Sequence, residues 1–365
     1  MQYKKVIALM AVIALLTVAI PVTARGDSTV NDTGEISITD SRDVIINLSQ
    51  PATHMASFGA FATNTLVDIG FLDSAVIFDA GSEYNKSAIP EMMNMSADKF
   101  IMVSSSNKDA IIQTMLGLVN DGVWNKTTDV IFGYGYGSYA AMWGELEGYG
   151  FHMITFYPKS YDGVVQVVED IENVVGADHS VSEQMGYTKT YIAETLIEKG
   201  ITNSSQKVRA LYASYSGNTL KLGNSGSVTV DFINYAGGYN VAENPSIDTV
   251  TYAVDFSAII QLDPDYVLLD GYYSGTAEDF SALIGNSDIT VYKLNKSWNS
   301  YCPDATEGLW TVACLLYPDY FVGDIPVQIV DDSDDNTLLY GAVGILVVVG
   351  AVAVVFATRK KDGKD

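Results

Sequence analysis

The chain has 365 residues, 48% of them hydrophobic, with 44 acidic against 20 basic side chains and a formal charge of −24. That balance excludes nucleic acid and anionic membrane surfaces as partners, since both would repel it. Two cysteines, Cys302 and Cys314, are too few for a disulfide scaffold.

Residues 1–24 read as a secretory signal. Lys4 and Lys5 lead into an apolar run, Val6–Ile20, and Val22-Thr23-Ala24 supplies the small-residue cleavage pattern. A polar leader follows over 25–36. At the other end, residues 338–357 are twenty uncharged positions, long enough at ~1.5 Å per helical residue to cross a bilayer core. Arg359, Lys360 and Lys361 follow this run, and Asp331, Asp332, Asp334 and Asp335 precede it within an acidic spacer, 324–337. Basic flanks stay inside, so the expected protein is a single-pass membrane protein with an extracellular body and a cytoplasmic tail, 358–365. Seven sequons, at Asn31, Asn47, Asn85, Asn94, Asn125, Asn203 and Asn295, fit an exported glycoprotein. Together with a protein anchor in place of a lipid, they suggest an archaeal cell surface.

Between the ends, short apolar runs alternate with helical patterns. Strands are expected at 44–48, 54–57, 75–79, 100–104, 129–133 and 152–157, then at 208–215, 219–222, 265–270 and 289–294. Helices are expected at 62–70, 109–119, 138–148, 227–236 and 277–284. The long helical territory 161–199 is interrupted at Gly176 and Ala177, which predicts two helices, the second a rod between lobes. This alternation predicts an α/β fold with mainly parallel sheets covered by helices. Thr128–Tyr134 and Asp263–Tyr272 form a weak repeat, an acidic turn entering an apolar strand that exits through glycine and tyrosine. Ligands in such sheets sit beyond the carboxyl ends of the strands, and two such ends facing each other make a cleft.

Motifs for catalysis or direct metal binding are absent from the sequence. His54, His152 and His179 have no metal-ligand spacing. Gly133-Tyr134-Gly135-Tyr136-Gly137 lacks the dinucleotide fingerprint, and no P-loop, nucleophile elbow or His-Glu-x-x-His run occurs. If 303–314 is helical, the two thiols lie on the order of 15 Å apart and stay free; an irregular loop there would let them pair. Gly223-Asn224-Ser225-Gly226-Ser227 precedes a helical run, either offering backbone N–H groups to an anion or forming a plain turn capped by Ser227.

Five segments in order carry a resemblance: Ile38–Ile46, His54–Gly70, Phe232–Ala242 (FINYAGGYNVA), Leu262–Gly271, and Trp298–Phe321 with its Glu307-Gly308-Leu309 and Tyr317–Phe321. On these residues the chain resembles the ABC-transporter substrate-binding proteins for iron chelates, haem and cobalamin, whose two α/β lobes are joined by one long rigid helix. The resemblance implies an N-terminal lobe at 37–178, a linker helix within 179–204 and a C-terminal lobe at 205–323. It implies a binding protein rather than an enzyme, with no cofactor and no resident metal, so that a metal arrives already chelated. Its partners are an ABC permease and ATPase.

The family's ligand loops fall here on Phe58, Phe61, Tyr134, Tyr136, Ser214, Tyr215, Ser225, Tyr272, Tyr273, Trp298 and Tyr301. Aromatic faces with phenolic tips suit a large, flat, partly polar ligand. The mature body carries only Arg25, Arg42 and Arg209, none on these loops, which favours a corrinoid or a hydroxamate-type ferric siderophore over a highly anionic catecholate. Permease docking falls on Asp109 and on Asp255, the latter adjacent to Ser257, which occupies the family's second docking position. The competing reading is a cell-surface adhesion or envelope protein that reuses the fold.

Overall fold

The computed structural model describes residues 28–31, 34–79 and 100–328. The expected signal, the membrane span, the cytoplasmic tail and the sequons Asn85 and Asn94 lie outside the described residues. Among the described residues, no helix is long and apolar enough to cross a membrane.

A small antiparallel sheet comes first, with β1 (Ser28–Val30), β2 (Ile36–Thr39) and β3 (Ile45–Leu48) paired in that order. Ile36, Ile38, Ile46 and Leu48 are buried and alternate with more exposed residues, the period of a half-buried strand. The first lobe follows. Its strands β4 (Met55–Phe58), β5 (Ala75–Asp79), β6 (Ile101–Val103), β7 (Val130–Tyr134) and β8 (His152–Phe156) pair in parallel in the order β6-β5-β4-β7-β8. Helices α1 (Ala60–Asp68), α2 (Lys108–Asn120) and α3 (Ser138–Gly148) connect them. All four residues of β4 are buried, as expected for a parallel strand covered on both faces.

The second lobe has β9 (Arg209–Ser216), β10 (Thr219–Gly223), β11 (Tyr239–Asn240), β12 (Thr251–Val254), β13 (Tyr266–Leu269) and β14 (Thr290–Lys293). Their order is β12-β10-β9-β13-β14, with β11 on the lower end of β9. β9, β13 and β14 are parallel, while the hairpin partner β10 and then β12 run antiparallel. β12 was not among the expected strands. Its half-exposed Thr251-Tyr252-Ala253-Val254 offers little apolar contrast, and pairing with β10 rather than patterning makes it a strand. Helices α6 (Val228–Tyr235), α7 (Phe256–Leu262), α8 (Ala277–Ile284) and α9 (Asp304–Leu316) cover this sheet.

Two helices join the lobes: α4 (Tyr161–Val175) and α5 (Ser180–Glu198). Ser160 caps α4, its side chain accepting from Gly163 N, and Gly176 ends it at φ 71°, a left-handed position where glycine carries no Cβ penalty. The rod expected within 179–204 is placed differently. The large apolar side chains that α5 buries, Met185, Ile192 and Leu196, all enter the second-lobe core. It is α4 that both lobes share, with Tyr161, Val164 and Val168 in the second-lobe core and Val167, Ile171, Val174 and Val175 in the first. The physical reason is the width of α4's apolar stripe, which has buried residues on nearly every turn and on two adjoining faces.

A candidate ligand cleft between the lobes

Three parallel strands present their carboxyl ends to the interlobe region. At the end of β7, Tyr134 is half-buried and its carbonyl accepts a hydrogen bond from Trp143 Nε1 at 2.9 Å. Its ring lies 5.2 Å from Tyr136, 6.3 Å from Tyr139 and 6.4 Å from Tyr301. Tyr136 lies 5.3 Å from Tyr157, the residue just past β8. From the second lobe, Tyr272 follows β13 with 63% of its surface exposed. Its backbone N–H donates to Asp270 Oδ1 at 3.1 Å, and its phenol shares a hydrogen bond with Ser300. Tyr301 stands at φ 63°, left-handed for a non-glycine residue, and packs against both lobes' cores. Tyr134, Tyr136, Tyr157, Tyr272 and Tyr301 are close enough that their phenols perturb one another. Of the expected set, Tyr134, Tyr136, Tyr272 and Tyr301 therefore come together.

The others do not join them. Phe58 and Phe61 have no exposed surface. Phe58 packs on Trp143 at 5.6 Å, while Phe61 lies beneath Tyr134 at 5.0 Å and against Phe156 at 5.6 Å. They are a floor beneath the cleft and not a wall of it. Tyr215 and Tyr273 form a separate cluster with Phe256 and Phe280, the Tyr215–Tyr273 centroids being 6.1 Å apart. Adjacent loop residues point to opposite sides, which sends Tyr272 to the cleft and Tyr273 to this cluster. Ser214 is half-buried near the end of β9, on the face of Tyr212.

Trp298 is only 5% exposed and belongs to the second-lobe core, with its Nε1 donating to Glu307 Oε2 at 3.3 Å. The short turn Lys296–Asn299 tucks it under α9, where a Cβ on Gly308 would meet it at 2.9 Å. Ser225 is exposed in a turn whose neighbours are committed elsewhere. Asn224 Nδ2 donates to the carbonyls of Ile247 and Thr249, and Ser227 Oγ caps α6 by accepting from Val230 N. Asp109, in the first turn of α2, and Asp255, just before α7, are both exposed, as is Ser257.

Three further residues belong to the cleft. Tyr157 and Tyr139 are phenols of the same cluster, and Tyr157 obeys the same strand-end rule as Tyr134. The third is Lys159, whose Nζ lies 5.5 Å above the Tyr157 ring centroid. No periodicity marks a lysine whose only distinction is its neighbour.

Burial raises the phenol pKa of Tyr134, Tyr136, Tyr272 and Tyr301, and neighbouring phenols add to the shift. All four keep their protons at neutral pH and act as hydrogen-bond donors and π-faces. Arg42 is occupied by Asp40 and Glu147, both at 2.6 Å, and Arg209 by the carbonyls of Leu262 and Asp263. Both cysteines are free, Cys302 buried in the first-lobe core and Cys314 half-buried. Among the described residues, no group of three or more His, Cys, Asp or Glu side chains is placed to hold a metal ion.

No protein-family model and no curated protein matches the chain. Solved structures do. Helicobacter pylori CeuE, solved with Ni-His, is 17% identical with a TM-score of 0.57, covering 79% of this chain and 90% of that one. The periplasmic haem-binding protein HutB of Vibrio cholerae is 15% identical at TM-score 0.53, covering 73% and 100%. A periplasmic binding protein from Veillonella parvula is 10% identical at 0.59, covering 81% and 98%. The fold is thus the two-lobed α/β fold of periplasmic binding proteins, several of which bind haem or a metal complex.

Proposed function

We propose that this chain is an extracytoplasmic binding protein that captures a metal chelate and presents it to an ABC importer. The observation that carries this reading is the ring of phenols, Tyr134, Tyr136, Tyr157, Tyr272 and Tyr301, contributed by both lobes at one place. Such a wall offers broad π-surface and hydrogen-bond donors at its edges, which matches a flat or macrocyclic chelate of the corrinoid, haem or ferric-hydroxamate kind. With no arginine on it, the wall disfavours catecholates.

Asp109 and Asp255 are the acids proposed to meet the permease, and residues 338–357 are proposed to tether the body to the membrane, with the C-terminus cytoplasmic. Glycosylation is proposed at the described sequons, Asn31, Asn47, Asn125, Asn203 and Asn295, all of which are exposed.

Calorimetric titration of the full-length protein in detergent with haem, a corrinoid and a ferric hydroxamate tests the reading. Saturable one-site binding of any one of them is the expected result. Absence of binding to all three would favour an envelope or adhesion role.

A further inference from the structure

We propose that Lys159 anchors a carboxylate arm of the captured chelate and so orients it in the cleft. The proposal rests on the chelate reading above and names the chemistry of one end of the ligand.

Lys159 lies on the short segment between β8 and α4, where the chain passes from the first lobe to a helix whose first residue, Tyr161, is in the second-lobe core. Pro158 beside it is buried, whereas Lys159 itself is exposed. The ammonium is held 5.5 Å from the Tyr157 ring centroid, within reach of a cation–π contact, and Tyr157 stands 5.3 Å from Tyr136 in the cleft wall. The cation thereby stands at the edge of the aromatic ring set.

Among the described residues it also has no acidic partner, a state it shares with Lys126, Lys207, Lys221 and Lys293, but it alone of these stands beside Tyr157 and Tyr136. Arg42 pairs with Asp40 and Glu147, Lys108 with Glu145 and Lys189 with Asp162. Among the described residues no carboxylate lies within 4.0 Å of Lys159, although the chain carries a charge of −24. A cation with no described carboxylate beside it, next to an uncharged wall, is a place where an anionic group gains.

Beside Tyr272, on the second-lobe contribution to the cleft, the charge is of the other sign. Asp270, past β13, accepts from the Tyr272 backbone and from the Tyr212 hydroxyl. A ligand with an anionic edge is therefore drawn to the Lys159 side and repelled from the Asp270 side. A single ammonium is a point charge without the planar fork of arginine, so it suits one carboxylate and not a phosphate or a polyanionic chelate.

The experiment uses ferric protoporphyrin IX, which bears two carboxylates, and its dimethyl ester, which bears none. Both are titrated optically into full-length parent, K159M and K159R in detergent. The parent is expected to prefer the free acid by about five-fold, the scale of one partly exposed ion pair. K159M should lose this preference while binding the ester as the parent does, and K159R should keep it. A preference that survives in K159M, or a K159M defect equal for acid and ester, would overturn the anchor. So would a parent that binds a corrinoid or ferric hydroxamate but neither porphyrin, an outcome that leaves the chelate reading standing. Failure of every chelate to bind the parent would remove both.

Discussion

Tyr272 and Trp298 both lie on loops past strands of the second lobe, yet packing gives them opposite roles. Tyr272 is 63% exposed and Trp298 5%. Replacing Tyr272 with alanine should weaken chelate binding by on the order of 2 kcal/mol, ~30-fold, and leave thermal unfolding unchanged. The same change at Trp298 removes a core side chain and should cost about 3–5 kcal/mol of stability, visible as a lowered denaturation midpoint. Gly271 is a third case. A Cβ there would stand 2.5 Å from Lys296 N and 2.7 Å from Leu294 O, backbone atoms of the neighbouring loop that cannot swing aside. Gly271→Ala should therefore destabilise by roughly 1–3 kcal/mol and also weaken binding, because Tyr272 is carried on the displaced loop. Chemical denaturation and ligand titration of the same variant check the two effects together.

At the scale of elements, α4 is flanked by two carboxyls, Asp170 fully buried and Asp231 half-buried. Asp170 on its own surface accepts from Ser28 N at 3.0 Å and from Ser28 Oγ at 2.6 Å, which ties β1 down. Asp231 of α6 accepts from Tyr161 N at 2.8 Å, at the start of α4. Burial outweighs these hydrogen bonds and pushes both carboxyls up to about 6. An acid whose pKa is higher folded than unfolded binds more protons in the native state between the two values. Its contribution is therefore fully present below about pH 4 and is lost as pH rises through 6. The protein should accordingly be more stable at pH 5 than at pH 7, by on the order of 2 kcal/mol for the pair. Asp170→Asn and Asp231→Asn should each flatten that profile, measured as denaturation midpoint against pH.

The segment Ser300–Cys302 behaves as another unit. It leaves the second lobe, yet Cys302 is buried among first-lobe residues, with Asn64 Nδ2 at 3.5 Å from its sulfur. Burial raises the Cys302 thiol well above its ordinary value, and the Cys314 thiol to about 11, so both stay protonated and poorly nucleophilic. A thiol reagent at neutral pH should modify the native protein slowly and the denatured protein rapidly at two sites. Rapid native labelling of Cys302 would show that the interlobe contact opens freely.

For the whole molecule, two features oppose wide closure. The lobes share α4 through its apolar stripe, and Tyr301 with Cys302 spans the gap at the base of the cleft. Separating them would expose buried apolar surface at roughly 25 cal/mol per Å². Ligand binding should therefore change the radius of gyration in small-angle scattering by little, with small rotations in place of a clamshell motion.

Much of this architecture is legible in the chain itself. The apolar runs that became β4, β7 and β13 are short and nearly continuous because both sheet faces are covered there. The break between α4 and α5 is legible because Gly176 takes φ 71°, which other residues adopt only at a cost. The strand-end rule also points to Tyr134 and Tyr272 without coordinates. Local sequence does not say what lies on the far side of a residue. Phe58, Phe61 and Trp298 occupy positions equivalent to the cleft tyrosines yet are buried by side chains outside their own loops, and α4 rather than α5 serves both cores because of how two lobes pack on it. Lys159 gains its meaning only from a ring 5.5 Å away and from the absence of a described carboxylate beside it. Backbone periodicity and turn chemistry are properties of neighbours in sequence, and the chain carries them by itself. Exposure, charge pairing and convergence are properties of neighbours in space, and those the tertiary structure decided.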